Sequence, residues 1–143
     1  MPGFSNSAES GLMKLLFQAV AWSLIADNTA TTPQANIAMS LHTADPGEAG
    51  TGTTSEATYT SYARVNVART TGGWTETAGS VSPVAAITFP AATGGTSVVT
   101  HTAAGMTGGG ASVLHMVGTV TPNITVNNPV QPILSTATAF SVD

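Results

Sequence analysis

The hydrophobic period of this chain changes once, and that change restricts its fold more than any other feature. In the apolar run Leu12 to Ala26 (LMKLLFQAVAWSLIA), Leu12, Leu15, Leu16, Ala19, Trp22 and Ile25 recur at three and four, and Met13, Phe17, Val20 and Leu24 make the other side apolar too. Beyond the breaker cluster Asp27 to Gln34 (DNTATTPQ), apolar residues recur at every second position. The first spacing belongs to a helix and the second to strands. Asn6, followed three residues later by Glu9, has the pattern of a reciprocal N-cap, so a helix is predicted from about Ser7 to Ala26. A helix apolar on both sides needs cover on more than one face. Its own domain can supply that cover, or a neighbouring subunit can; Leu12, Phe17 and Trp22 are the candidates for a subunit contact.

The strand candidates are short. Asn36 to His42 (NIAMSLH) places Ile37, Met39 and Leu41 on one face, which points His42 outward, toward solvent or a partner. In Tyr62 to Ala68 (YARVNVA), Ala63, Val65 and Val67 are expected inside and Tyr62, Arg64 and Asn66 outside. Further candidates are Val84 to Phe89, Ser97 to Ala103, Ser112 to Val120, Ile133 to Ala137 and Thr138 to Val142. About seven short strands after one helix predict an all-β, jelly-roll-like β-sandwich preceded by one N-terminal α-helix. The division expected is residues 1–34, helix and linker packed on the main domain, and residues 35–143, the sandwich. Pro122, Pro129 and Pro132 limit the late segment to edge or loop positions. The polar stretch Ala44 to Ser61 is expected to be a long surface excursion, mobile or gripping a neighbour.

Charge excludes several functions. Only 7% of residues are charged, against about a quarter in ordinary soluble domains. The basic side chains are Lys14, Arg64 and Arg69 and the formal net charge is -4, so no surface can neutralise several phosphates and nucleic acid is not an expected partner. Cysteine is absent, which removes disulfides, thiolate metal sites and cysteine nucleophiles. The apolar run is shorter than the ~20 residues of a membrane span, holds Lys14 and Gln18, and lacks a leader's basic start and cleavage pattern. Neither a membrane span nor a leader is expected there. In so uncharged a chain, Arg64 and Arg69 are either half-solvated strand charges or partners of an acidic residue across a subunit boundary.

The stretch LHTADPGEAG, Leu41 to Gly50, offers a histidine and two carboxylates at short spacing. His42, Asp45 and Glu48 could ligate a metal, but a tight turn seldom converges three such side chains, and Asp45-Pro46-Gly47-Glu48 is explained as a turn by the φ values that proline and glycine supply. His42, His101 and His115 are possible bases, yet no nucleophile motif surrounds them, so no enzymatic activity, cofactor or small-molecule substrate is expected. Among Trp22, Trp74, Tyr59 and Tyr62, Trp74 is the one expected to be exposed, as a subunit contact or a platform for sugars. Asn123-Ile124-Thr125 matches a glycosylation acceptor, a pattern too short and frequent to carry weight.

The order helix, apolar strand, LHTADPGEAG, SYARVNV, ITFPAATGG and SVVTH resembles a family of small bacteriophage virion proteins commonly labelled tail-fibre or minor structural proteins. Leu41 to Gly50, Ser61 to Val67 and Ile87 to Gly95 carry the likeness. After His101 the chain departs from that pattern, with TAAGMTGGG where an aromatic-rich strand is usual. The resemblance implies a structural protein of the virion, made in the host's bacterial cytoplasm. It is similar to the trimeric capsid cement, or decoration, proteins, whose place is the outer capsid surface and whose partner is the major capsid protein. A homotrimer bridging capsomers is therefore the leading expectation, with Leu12, Phe17, Trp22, Arg64, Arg69 and Trp74 as interface candidates. The alternative is a tail-tip or tail-fibre component contacting the host surface.

Overall fold

A computed structural model describes residues 6–21 and 34–142. They form one helix, α1 (Asn6–Gln18), and nine strands: β1 (Asn36–His42), β2 (Val65–Ala68), β3 (Trp74–Thr77), β4 (Ser80–Pro83), β5 (Ile87–Thr88), β6 (Thr96–Gly105), β7 (Leu114–Asn127), β8 (Ile133–Leu134) and β9 (Phe140–Ser141). The fold is mostly β with one N-terminal helix, and its antiparallel sheets have the organisation of a β-sandwich. Two compact units interleave along the chain, so residues 35–143 contribute to both.

The first unit comprises residues 1–35, 68–86 and 135–143. It holds α1 and the sheet β3-β4-β9. Met13 and Phe17, four residues apart and so on one helix face, are fully buried there together with Trp74, Val81 and Phe140. The Phe17 ring meets Trp74 edge-on at 4.8 Å and stacks on Phe140 at 6.1 Å. At this face the cover for the helix comes from its own unit. The helix ends at Gln18, earlier than expected, because Ala19 takes a left-handed φ of 55°. Residues 22–26 of the expected helix lie outside the described residues. The β3-β4 hairpin was not legible in the sequence. Its turn, Ala78-Gly79, has positive φ at both positions, a primed turn usually marked by Asn-Gly or Asp-Gly. Here the Gly79 N–H donates to Glu76 Oε1 at 3.0 Å and fixes the turn instead. A Cβ on Gly79 would lie 2.8 Å from the Glu9 Cβ, so only glycine fits.

The second unit comprises residues 36–67 and 87–134. Its main sheet has the order β2-β1-β6-β7, and β5 pairs with β8. β1 runs antiparallel to β6 with Ala38 opposite Gly105 and His42 opposite His101. β7 pairs with β6 from Leu114 to Thr119 and again from Ile124 to Asn127, with a register break opposite Thr100 that contains Pro122. Proline there leaves β7 an edge strand, as the sequence requires. Alternation misleads at β1: every residue from Ile37 to His42 is buried, because this central strand is covered on both faces. His42 therefore points inward, not toward solvent. Ala63, expected inside, is exposed, whereas Val65 and Val67 are half-buried. No helix among the described residues is long and apolar enough to cross a membrane.

Candidate functional site

The segment after β1 folds back onto its own unit rather than hanging free. Thr43 N–H donates to the Ser55 carbonyl at 2.7 Å and Ala57 N–H to the Leu41 carbonyl at 2.8 Å. Within this return His42 is fully buried. Its Nδ1 lies 2.8 Å from the Thr54 carbonyl, which can only accept, so Nδ1 carries the proton; Nε2 then accepts from the Ser40 hydroxyl at 2.8 Å. Burial lowers the imidazole pKa and outweighs the opposing effects of the Thr54 carbonyl and Glu56. A neutral ring with both nitrogens engaged cannot serve as a metal ligand. Ser40 and His42, both sealed from solvent, offer no surface to a substrate.

Asp45 is spent on local geometry. Its Oδ1 accepts the Gly47 N–H at 2.9 Å, Gly47 has φ 70°, and the turn closes from Gly50 N–H to the Gly47 carbonyl at 3.0 Å. The turn thus lies two residues later than the expected Asp45–Glu48. Among the described residues no group of three or more His, Asp or Glu side chains could hold a metal ion.

What organises this end of the unit is Arg64, a role its sequence position does not announce. Its Nε and Nη2 grip the two oxygens of Glu56 at 2.6 and 2.8 Å. Nη1 donates to the Gly108 carbonyl at 3.0 Å and the Ser112 hydroxyl at 2.8 Å, and Nη2 also to the Gly110 carbonyl at 2.8 Å. Those bonds use all five guanidinium donors. The Glu56 carboxylate raises the arginine's pKa further, so the guanidinium stays charged. Tyr62 completes the cluster: its hydroxyl donates to Glu56 Oε1 and accepts from the Leu41 N–H, each at 3.0 Å. Burial pushes the phenol pKa well up. At Gly52 a Cβ would stand 2.7 Å from both Arg64 Nη2 and Ser112 Oγ, so the backbone must be bare for the two loops to meet. Arg64, together with the Gly52 N–H bond to the Ser112 carbonyl, therefore holds the glycine-rich residues 107–112.

A groove of about 330 Å³ lies between residues 45–50 and the start of β7. Asp45, Gly47, Glu48 and Gly50 form one wall, and Leu114, His115, Met116 and Val117 the other. The register of β7 against β6 shifts within this wall, at His115, between the pairs Gly105–Leu114 and Ala104–Met116. β7 is the last strand of its sheet, and just before it Thr51 bridges Val113, with the Gly52 N–H donating to the Ser112 carbonyl at 2.8 Å.

Other interface candidates are placed elsewhere. Phe17 and Trp74, expected at a subunit or capsid surface, are core residues of the first unit with no exposure. Trp74 is thus no sugar platform; Tyr59, Phe89 and Phe140 are buried too and Tyr62 is half-buried, so no described Phe, Tyr or Trp is exposed. Leu12 is half-buried, and Trp22 lies outside the described residues. Arg69 caps the helix: Nε and Nη2 reach the Leu16 and Leu15 carbonyls at 2.6 Å each, and Nη1 the Gln34 carbonyl at 3.1 Å. A cation at the carbonyl end of a helix is favoured by the dipole and supplies donors that the last turn lacks. Lys14 pairs with Glu76 at 3.3 Å. Burial raises the Glu76 pKa, but the Gly79 N–H, the Ser10 hydroxyl and Lys14 together hold it below the ordinary value. Each of the three cations therefore serves its own unit.

One family model matches residues 3–136, nearly the whole chain; its description is podophage GP4 fiber I protein gp80. No curated protein matches the sequence.

Proposed function

Since the chain belongs to the podophage GP4 fiber I family, a family of structural phage fibre proteins and not of enzymes, we propose that it is a tail-fibre component that contacts the host surface and works as a homo-oligomer, a trimer being the simplest form. The family match over residues 3–136 carries the reading. It favours the tail-fibre alternative over a cement protein bridging capsomers. The geometry adds support. The Glu56–Arg64 pair and its bonds to residues 108–112 hold two polar loops in fixed positions, which suits recognition by preorganised loops on a rigid scaffold. Exposed Val84, Val98, Val113 and Ile133 leave apolar area for subunit contacts.

Antibody labelling of intact virions against residues of this chain, viewed by electron microscopy, tests the location. Label confined to the tail and its appendages is expected. Label spread evenly over the shell would instead restore the outer-capsid reading, with the major capsid protein as partner.

A further inference from the structure

We infer that the bare face of β7 from Val117 to Asn127, with Thr96 and Val98 of β6 beside it, is the surface through which copies of this chain pack on one another. The inference rests on the homo-oligomeric reading above and deepens it by assigning the surface.

Exposure along β7 alternates. Every odd-numbered residue from Val117 to Asn127 is exposed, while the even-numbered ones, apart from Pro122, are half-buried or buried. Alternate side chains of a strand share a face, so one side of β7 turns inward and the other is bare over about 34 Å. β6 widens the bare face at one end. Thr96 stands opposite Asn127 and Val98 opposite Thr125, all four exposed, whereas Ser97, Val99 and Val126 on the other side are buried. Val98 and Val117, 45% and 36% exposed, give a neighbour apolar area to cover. Thr119, Thr121 and Thr125 can pack and hydrogen-bond against like residues on a facing strand.

Charge selects a second copy as the occupant. Residues 77–142 contain no Asp, Glu, Lys or Arg, so this face neither repels its own copy nor selects a charged partner. Elsewhere identical chains meet with repulsion. Asp45 and Glu48 are exposed carboxylates, and the cations that could offset them are engaged within their own chain: Arg64 on Glu56, Arg69 on the end of α1 and Lys14 on Glu76. Copies that each carry a formal net charge of -4 therefore approach at least cost where charge is absent. The exposed large hydrophobic side chains gather in the same charge-free stretch; of those described, all but Val20 lie in it. A glycan is the poorer occupant, since no described Phe, Tyr or Trp is exposed to stack on a sugar.

The test is sedimentation equilibrium of the full chain and two variants. T119K/T125K sets like charges on the bare face of every copy and should weaken association at least tenfold, while amide spectra of the separated subunit keep the native fold. Thr121→Cys supplies a single thiol, since the chain has no cysteine of its own. It should cross-link copies under mild oxidation, whereas Glu48→Cys should not. A wild-type oligomer that survives T119K/T125K, with Thr121→Cys left uncrosslinked, would overturn the proposal and leave the homo-oligomer standing. A wild-type chain that stays monomeric at its highest soluble concentration would sink both. Amide shifts along this face on adding host-surface polysaccharide, with assembly unchanged in T119K/T125K, would give the face to a glycan and overturn the proposal as well.

Discussion

Replacing Arg64 by Ala should cost about 3 kcal/mol of folding stability. The substitution removes five hydrogen-bond donors at once. Most of the cost falls on Glu56, whose side chain is 17% exposed and keeps only the Tyr62 hydroxyl as a partner. Removing one member of a buried ion pair costs roughly 3–5 kcal/mol, and the residual access of water to this pair places it at the lower end. The Gly108 and Gly110 carbonyls belong to exposed residues, so water replaces the lost donors there and the effect is on order more than energy. The unfolding midpoint should fall by about 10 °C. Arg64→Lys should recover little, since an ammonium cannot reproduce the two-pronged grip on Glu56 while also reaching two carbonyls. E56Q/R64A should be more stable than R64A, because the stranded charge is gone. Chemical denaturation gives the energies, and amide exchange at residues 107–112 reports the loop. A loss below about 1 kcal/mol, the scale of an exposed pair, or unchanged exchange at 107–112, would refute the reasoning.

Phe17→Ala and Trp74→Ala should each destabilise the isolated chain by roughly 3–5 kcal/mol, since both rings are fully buried; unchanged denaturation midpoints with failed assembly would return them to a subunit interface. Arg69→Met should cost about 1–2 kcal/mol and fray the end of α1, measured as faster amide exchange near the helix terminus. Because burial lowers the His42 pKa, the unfolded chain takes up that proton first. Stability should accordingly fall as pH drops below about 6.5, by at most about 1.4 kcal/mol per pH unit, until the folded-state pKa is reached. Denaturation at pH 7.5, 6 and 5, with the His42 ring followed by NMR, checks this; a ring that titrates at its ordinary pKa would contradict it.

The helix, most strands and the change of period between them were legible because they depend on local apolar spacing. The orientation of His42 was not. Alternation assumes one wet face, and β1 loses that face to residues 51–57, a polar segment whose return is fixed by backbone bonds to Leu41 and Thr43. The β3-β4 hairpin escaped because Ala78-Gly79 lacks the usual turn signature and draws its restraint from Glu76. Trp74 looked exposed for the same reason: among glycines, threonines and a glutamate it reads as a loop, whereas the hairpin carries it against Phe17. Arg64 and Arg69 were noticed for their rarity, but their roles depend on carbonyls some forty to fifty residues away in sequence. No local pattern encodes such partners.

The copy number of this chain in purified virions, measured by quantitative mass spectrometry against the major capsid protein, tests the fibre assignment most directly. A fibre component should be present in a small number of copies set by the tail. A ratio approaching one per capsid subunit would contradict that account and place the chain on the shell.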